Sequence, residues 1–279
     1  MNKPQQAAKH DYGFGNILSE WRKIRKISQL DLAVVTGVSQ RHLSFVESGR
    51  AQPSRGLILK LANELNLPLR VRNSLLLAAG YAAAFSQRSA TEIEMKPVHD
   101  AIHRMLRHHE PYPAIVTNAE WDIVMQNSAA SRLISACLGR GNVVQAKSRE
   151  QVNFMRMMFS QDALRPHILN WDQTRTLLFN RLHAEATVNP GCASAILLRE
   201  LESEASADCS ERLCENQDYL VEPVLPLALR VGGVDLRFIT MFTSIGASQD
   251  IGLRELRIDL SFPADDATRE YLQSGISVA

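Results

Sequence analysis

The sequence predicts two domains of different class: an all-α N-terminal domain of five short helices, then a larger α+β domain. Three observations carry this reading. Five helical patterns follow one another between Phe14 and Ala79. Charge divides near the same place. Residues 1–82 hold 12 Lys and Arg against 5 Asp and Glu, a net +7, while the 19 basic and 25 acidic residues of 83–279 leave −6. From Leu225 onward the apolar residues abandon helical spacing for strict alternation, the period of a half-buried strand. A chain of 279 residues with 45% hydrophobic content can fill two cores. The basic surplus at the front suggests contact with nucleic acid, because Lys and Arg displace the counterions condensed on phosphates.

In the first pattern Ile17, Leu18, Trp21, Ile24 and Ile27 recur at helical spacing, with Arg22, Lys23, Arg25 and Lys26 mostly between them. Ser28 to Asp31 reads as a capping box, in which Ser28 accepts from the third helical N–H and Asp31 reaches back. The second helix is expected over Gln29 to Thr36 with Leu30, Ala33 and Val34 inward. Gly37 ends it by supplying a left-handed backbone. Ser39 caps the third helix, which runs to Ser48 with Leu43 and Val46 inward. Ser54 opens a fourth, where Leu57, Ile58, Leu61, Ala62 and Leu65 share a face. Pro68 closes that segment, and Asn73 to Ala79 forms a fifth.

Two short helices joined by a glycine turn inside a basic helical domain make a helix-turn-helix. The second helix of such a pair fits the DNA major groove, and the residues at its N-terminal end meet base edges. Here those outward residues are Ser39, Gln40, Arg41 and Ser44. Gln pairs with adenine and Arg with guanine through two hydrogen bonds, each good pair giving about 1–3 kcal/mol of discrimination. Gln29 would bring its amide, and the first N–H groups of its helix, against a phosphate.

The ordered string SQLDLAVVTGVSQRHLSFVESGRAQPS resembles the XRE, or phage-repressor-like, helix-turn-helix family over about Phe14 to Leu67. That resemblance assigns the DNA-contact roles to Gln29, Ser39, Gln40, Arg41 and Ser44. It adds Arg50, Ser54 and Arg55 as backbone contacts and makes Glu47 a brace of the bundle. The implied partner is double-stranded DNA, bound by a homodimer on a near-palindromic site whose half-sites lie about one helical turn apart.

The alanine-rich stretch from Ala78 to Ser89 marks the boundary, giving domains at 12–82 and 97–279 with a linker at 83–96. A helix follows to His109 with Val98, Ile102, Met105 and Leu106 inward. Ala114 to Thr117 and Trp121 to Gln126 read as strands around a turn. A helix containing Ala129, Ala130, Leu133 and Ile134 comes next, then helical stretches near 152–159, 165–186 and 193–204. Leu225, Leu227, Leu229 and Val231 alternate up to Gly232-Gly233, a hairpin signal. Val234, Leu236, Phe238, Thr240 and Phe242 alternate after it, and Leu256, Ile258, Leu260 and Phe262 form a last strand. Helices and a meander of this kind predict an α+β domain whose sheet has one face covered.

PLRVRNSLLLAAGYA and EPYPAIVTNAEWDIVMQNSAA are similar to the MmyB-like regulators, in which an XRE domain is fused to a PAS-like sensory domain. The resemblance implies a small apolar, fatty-acid-like ligand held between sheet and helices. Its candidate contacts are Trp121, then Met155, Met158 and Phe159 from a soft, methionine-rich helix, facing Phe238 or Phe242 on the sheet. The default reading of that same helix is core, and Asn127 reads as the cap of the following helix. The alternative is a second domain that acts through a protein partner without a small molecule.

Other chemistry is disfavoured. His99 and His103 share a helix face, yet no Cys or carboxylate completes a metal set. Cys209 and Cys214 miss CxxC spacing, so with Cys137 and Cys192 they are expected to be reduced thiols. A self-cleaving serine peptidase, sometimes joined to repressors, needs a lysine base after its serine. After Lys96 the one lysine is Lys147, and no serine lies between Ser89 and Ser128. No enzyme and no cofactor is therefore expected. The opening residues lack the apolar run of a secretory signal and no run of about 18 apolar residues occurs, so a cytoplasmic protein without membrane contact is expected.

Overall fold

The computed structural model describes residues 13–85, 96–138, 152–208, 224–245 and 250–274. They form two compact units, one built on the helices up to Ala78 and the other on a sheet with its own helices.

The first unit contains α1 (Phe14–Ile24), α2 (Gln29–Thr36), α3 (Gln40–Glu47), α4 (Arg55–Glu64) and α5 (Leu69–Ala78). Three of these start on a serine. The hydroxyls of Ser28, Ser39 and Ser54 accept from the N–H of Asp31, His42 and Leu57 at 3.1, 3.1 and 3.3 Å. Each such cap contributes about 1 kcal/mol. Asp31 does reach back, and the group it meets at 2.6 Å is the Ser28 hydroxyl. Gly37 ends α2 at φ +67, the left-handed conformation expected there. Leu18, Leu32, Leu43, Ile58, Leu61, Leu75 and Leu76 are fully buried and hold the five helices together.

Two expectations about this unit are corrected. Leu30 and Val34 are 53% and 69% exposed, and α2 turns Leu32, Ala33 and Thr36 inward instead. In an eight-residue helix with five apolar residues several faces look alike, and packing against α3 and α4 selects among them. The fifth helix begins at Leu69, four residues before Asn73. Pro68 is its N-cap, a place where proline's missing N–H costs little, so it opens a helix. Asn73 then holds the following chain. Its amide donates to Phe85 O at 2.7 Å and accepts from the N–H of Ala84 and Phe85 at 3.0 and 3.1 Å.

The second unit contains α6 (Lys96–His108), β1 (Ala114–Thr117), β2 (Ile123–Gln126), α7 (Ser128–Leu138), α8 (Phe154–Phe159), α9 (Trp171–Val188) and α10 (Ala193–Asp208). After these come β3 (Val224–Val231), β4 (Val234–Ser244), β5 (Arg257–Pro263) and α12 (Asp266–Ser274), with the four-residue α11 (Ile251–Arg254) before β5. The strands make one antiparallel sheet in the order β2-β1-β5-β4-β3. Gly232 and Gly233, at φ +56 and +83, turn the β3–β4 hairpin as expected. On β4, buried Leu236, Phe238 and Thr240 alternate with exposed neighbours.

The sheet is covered on both faces at its β1–β5 centre, which corrects the one-faced expectation. The large core sits between one face and α7 to α10. A smaller one packs Ile102 and Leu106 of α6 on Ala114, Val116 and Ile258, so all four residues of β1 are buried. Helix α12 was not anticipated. Asp265 caps it by accepting from Thr268 N–H at 2.8 Å, and its Leu272 is buried in the large core.

Candidate DNA interface and ligand cleft

Glu47, at the end of α3, is the centre of the first unit's polar packing. Arg22 of α1 gives its carboxylate two hydrogen bonds, Nε to Oε1 at 2.7 Å and Nη2 to Oε2 at 3.0 Å. The same guanidinium donates to Ile27 O at 3.0 Å. From α2, Gln29 Nε2 donates to Glu47 Oε2 at 2.7 Å. Both charged side chains are nearly buried, and the hydrogen bond to Glu47 holds the Arg22 pKa above its ordinary value. Three helices thus meet at one carboxylate. The close approach of α1 needs Gly15, where an added Cβ would overlap the Glu47 carbonyl oxygen.

This frame leaves the N-terminal end of α3 open. Ser39, Gln40 and Arg41 are exposed and Ser44 is half-buried. The Arg41 guanidinium lies 5.4 Å from the centre of the Phe45 ring, which limits where it can point. Arg50, Ser54 and Arg55 are exposed in the loop after α3 and at the start of α4. Ser39 and Ser54 use their oxygens as caps and keep their O–H groups as donors. Gln29 is half-buried and fixed by Glu47, with a second N–H remaining on Nε2.

A narrow apolar cleft with a volume of about 70 Å³, partly open to solvent, lies between the sheet and α7–α8. Met158 and Phe242 line it, as do Leu133, Phe154, Met157 and Leu227. The other candidate contacts sit in the surrounding core. Met155, Phe238 and Trp121 are almost wholly buried, and Phe159 packs edge-on against Trp171 and Phe179 at 5.1 and 5.0 Å. The α8 run is therefore both core and cleft wall. Asn127 caps α7 as expected, its Oδ1 accepting from Ala130 N–H at 2.9 Å and from Ala114 N–H at 3.1 Å, while its Nδ2 donates to Leu106 O and Tyr112 O.

Charged residues that sequence reasoning missed lie beside this cleft. Arg257 grips Glu185 through Nε and Nη2 at 3.0 and 2.7 Å and stacks 4.1 Å from the Trp121 ring centre. Trp121 Nε1 donates to Ser194 Oγ at 2.8 Å, and Ser194 donates to Glu185. Arg181 lies 3.8 Å from the Phe242 ring centre and 5.1 Å from that of Trp121. Asp259 is only 3% exposed and lines the cleft, and neither carboxylate oxygen has a hydrogen-bond partner among the described residues. Burial pushes its pKa up to about 6 against the opposing pull of Arg181 and Arg257. The signal that could have found it is small: one carboxylate between Ile258 and Leu260, on the strand face read as polar.

Among the described residues no group of three His, Cys, Asp or Glu is placed to hold a metal ion. Cys137 is buried, which raises its thiol pKa to about 11, and Cys192 is free; Cys209 and Cys214 lie outside the described residues. No helix among the described residues is long and apolar enough to cross a membrane.

A helix-turn-helix unit and a PAS-like α+β unit in one chain define the architecture of a two-domain regulator. Comparison with known proteins agrees. Residues 18–71 match the helix-turn-helix family model, and residues 98–274 match that of the MmyB-like transcription regulator ligand binding domain. The second match spans most of the chain, which belongs to the MmyB-like transcription regulators. The chain is also 39% identical over 82 residues to the uncharacterized HTH-type transcriptional regulator RghRB of Bacillus subtilis (strain 168). That alignment takes in 28% of this chain and 57% of the relative. A solved RNA-binding light-oxygen-voltage receptor aligns with 98% of this chain and 64% of its own, at 11% identity and a TM-score of 0.27.

Proposed function

We propose that this protein is a sequence-specific DNA-binding transcription regulator whose second domain senses a small apolar ligand. The observation that carries the first half is the open N-terminal end of α3, with Gln40 and Arg41 exposed on a helix that Glu47 fastens to α1 and α2. Ser39, Gln40, Arg41 and Ser44 read base edges, while Gln29, Arg50, Ser54 and Arg55 hold the phosphate backbone. Residues 12–82 form the DNA-binding domain, 83–96 the linker and 97–279 the sensor. The protein acts as a homodimer in the cytoplasm and without catalysis. The apolar cleft between the sheet and α7–α8 supports the sensor reading.

Selection from a pool of random duplexes tests the DNA half. The expected product is a near-palindromic site with half-sites about one helical turn apart; a pool that stays random after repeated rounds contradicts it. Native mass spectrometry before and after organic extraction tests the sensor half. A mass lost on extraction fits a bound apolar molecule, whereas an unchanged mass together with a co-purifying protein favours a partner-binding module.

A further inference from the structure

We infer that the basic face of α6 holds DNA phosphates flanking the site that α3 reads, so that the second domain also touches the duplex. This inference rests on reading the chain as a DNA-binding regulator and adds a second contact that carries no sequence information. Helix α6 turns Ile102 and Leu106 into the core on β1 and β5. On its other side Lys96, His103, Arg104 and Arg107 recur at i, i+7, i+8 and i+11, positions that share one helix face. All four are exposed, as is His108 beside them.

The charge of this face is not used within the domain. The side chains of Lys96, Arg104 and Arg107 enter no ion pair or hydrogen bond among the described residues. Asp100 is the one acidic residue of α6, against three Lys and Arg. That balance reverses the trend of residues 83–279, where 25 acidic residues outnumber 19 basic ones. The helix dipole favours Arg107 and His108 in the last turn, but it disfavours a cation such as Lys96 at the N-terminal end. Stability of the helix therefore does not account for the whole face. A polyanion outside the domain does, with His103 and His108 adding ring N–H donors to the three cations.

Duplex DNA fits this face by charge and by reach. Lys96 lies eleven residues beyond Phe85, the last residue described before the linker, and eleven residues extend over at most about 40 Å. That covalent limit is close to one turn of the duplex, about 34–36 Å. Helix α6 is about 20 Å long, and a duplex carries one negative charge per about 1.7 Å of its axis. Phosphates beside the site are therefore spaced closely enough to meet all three cations. An acidic domain tethered to a DNA reader is repelled by the same phosphates unless it presents a face of this kind.

The test measures the affinity of the full chain for two duplexes over about 0.05–0.2 M salt. One ends at the edges of the site obtained by selection, and the other extends about one helical turn, roughly 10 base pairs, beyond each edge. The longer duplex is expected to bind more tightly and with a steeper salt dependence. Arg104→Gln with Arg107→Gln should leave the short duplex unaffected and lower the slope of log K against log salt on the long one by about 2 per bound chain. Arg199→Gln with Arg237→Gln, an equal loss of charge from exposed positions elsewhere in the domain, should leave both duplexes unaffected. Equal affinity of the wild type for the two duplexes overturns the inference and leaves the DNA-binding reading standing. So does an equal effect of the two double variants, or an α6 variant that weakens both duplexes alike. Loss of self-association by the α6 variant in sedimentation, with the flank effect intact, would assign the face to a protein contact and overturn the inference. A chain that selects no duplex at all overturns both.

Discussion

Glu47 and Asp259 are both buried carboxylates, and their surroundings give them opposite consequences. Glu47 receives three hydrogen bonds from Arg22 and Gln29, so its charge is matched where it lies. Removing one partner of a buried ion pair costs about 3 kcal/mol or more. Glu47→Ala should lose roughly that much in a urea melt of the first unit's helices, and a loss below about 1 kcal/mol, typical of an exposed pair, would contradict the bracing role. Asp259 has a folded pKa of about 6 against an ordinary 3.8. The charged groups that face it are Arg181 and Glu185 from α9 and Arg257 from its own strand. Between those two values the folded protein holds a proton that the unfolded chain has released, so stability falls as pH rises from about 4 to about 6. Asp259→Asn removes this penalty. Relative to wild type it should gain up to about 3 kcal/mol between pH 4 and pH 7, read from melts across that range; a constant difference would show that Asp259 does not titrate there. At this scale the capping serines and Asn127 were legible because a cap is a local pattern. Asp259 was not, because the groups that face it, Arg181 and Glu185 of α9, come from far along the chain.

The helices and strands were mostly legible as elements, and their faces less so. Long periodic segments such as α6 and the β3–β4 hairpin declare an inside and an outside through Ile102 and Leu106, or Leu236 and Phe238. Helix α2 does not, since its stripe is chosen by α3 and α4 across the interface and by the Gln29–Glu47 bond. Its Leu30 and Val34, expected inward, remain exposed. Element packing also makes a sharp prediction at Gly15. Because a Cβ there would overlap the Glu47 carbonyl oxygen, Gly15→Ala must push α1 away from α3 and should cost about 1–3 kcal/mol despite alanine's better helix propensity. Thermal melts that show a gain would mean that α1 does not pack this closely. In the second unit, the cleft exists because α7 and α8 meet the sheet through Leu133, Met157 and Met158, leaving space before Leu227 and Phe242. Single residues such as Met158 and Phe242 could be named from the sequence, whereas Trp121, Met155 and Phe238 were drawn into the core by neighbours far along the chain.

For the whole molecule, charge is the property most legible in the sequence. A basic first unit and an acidic second one divide the labour that the family match and the cleft also suggest. Each unit has a core of its own, which fits a DNA reader and a sensor carried as separate modules. The central claim is that α3 reads base sequence, and it is tested most directly with Arg41→Ala. Affinity is measured at one salt concentration for the duplex obtained by selection and for a scrambled duplex of the same length. Loss of a two-bond contact to guanine should weaken binding to the selected duplex by about 1–3 kcal/mol per half-site, with a much smaller change on the scrambled one. Equal losses on both duplexes would make Arg41 a phosphate contact and contradict the docking of α3 described here.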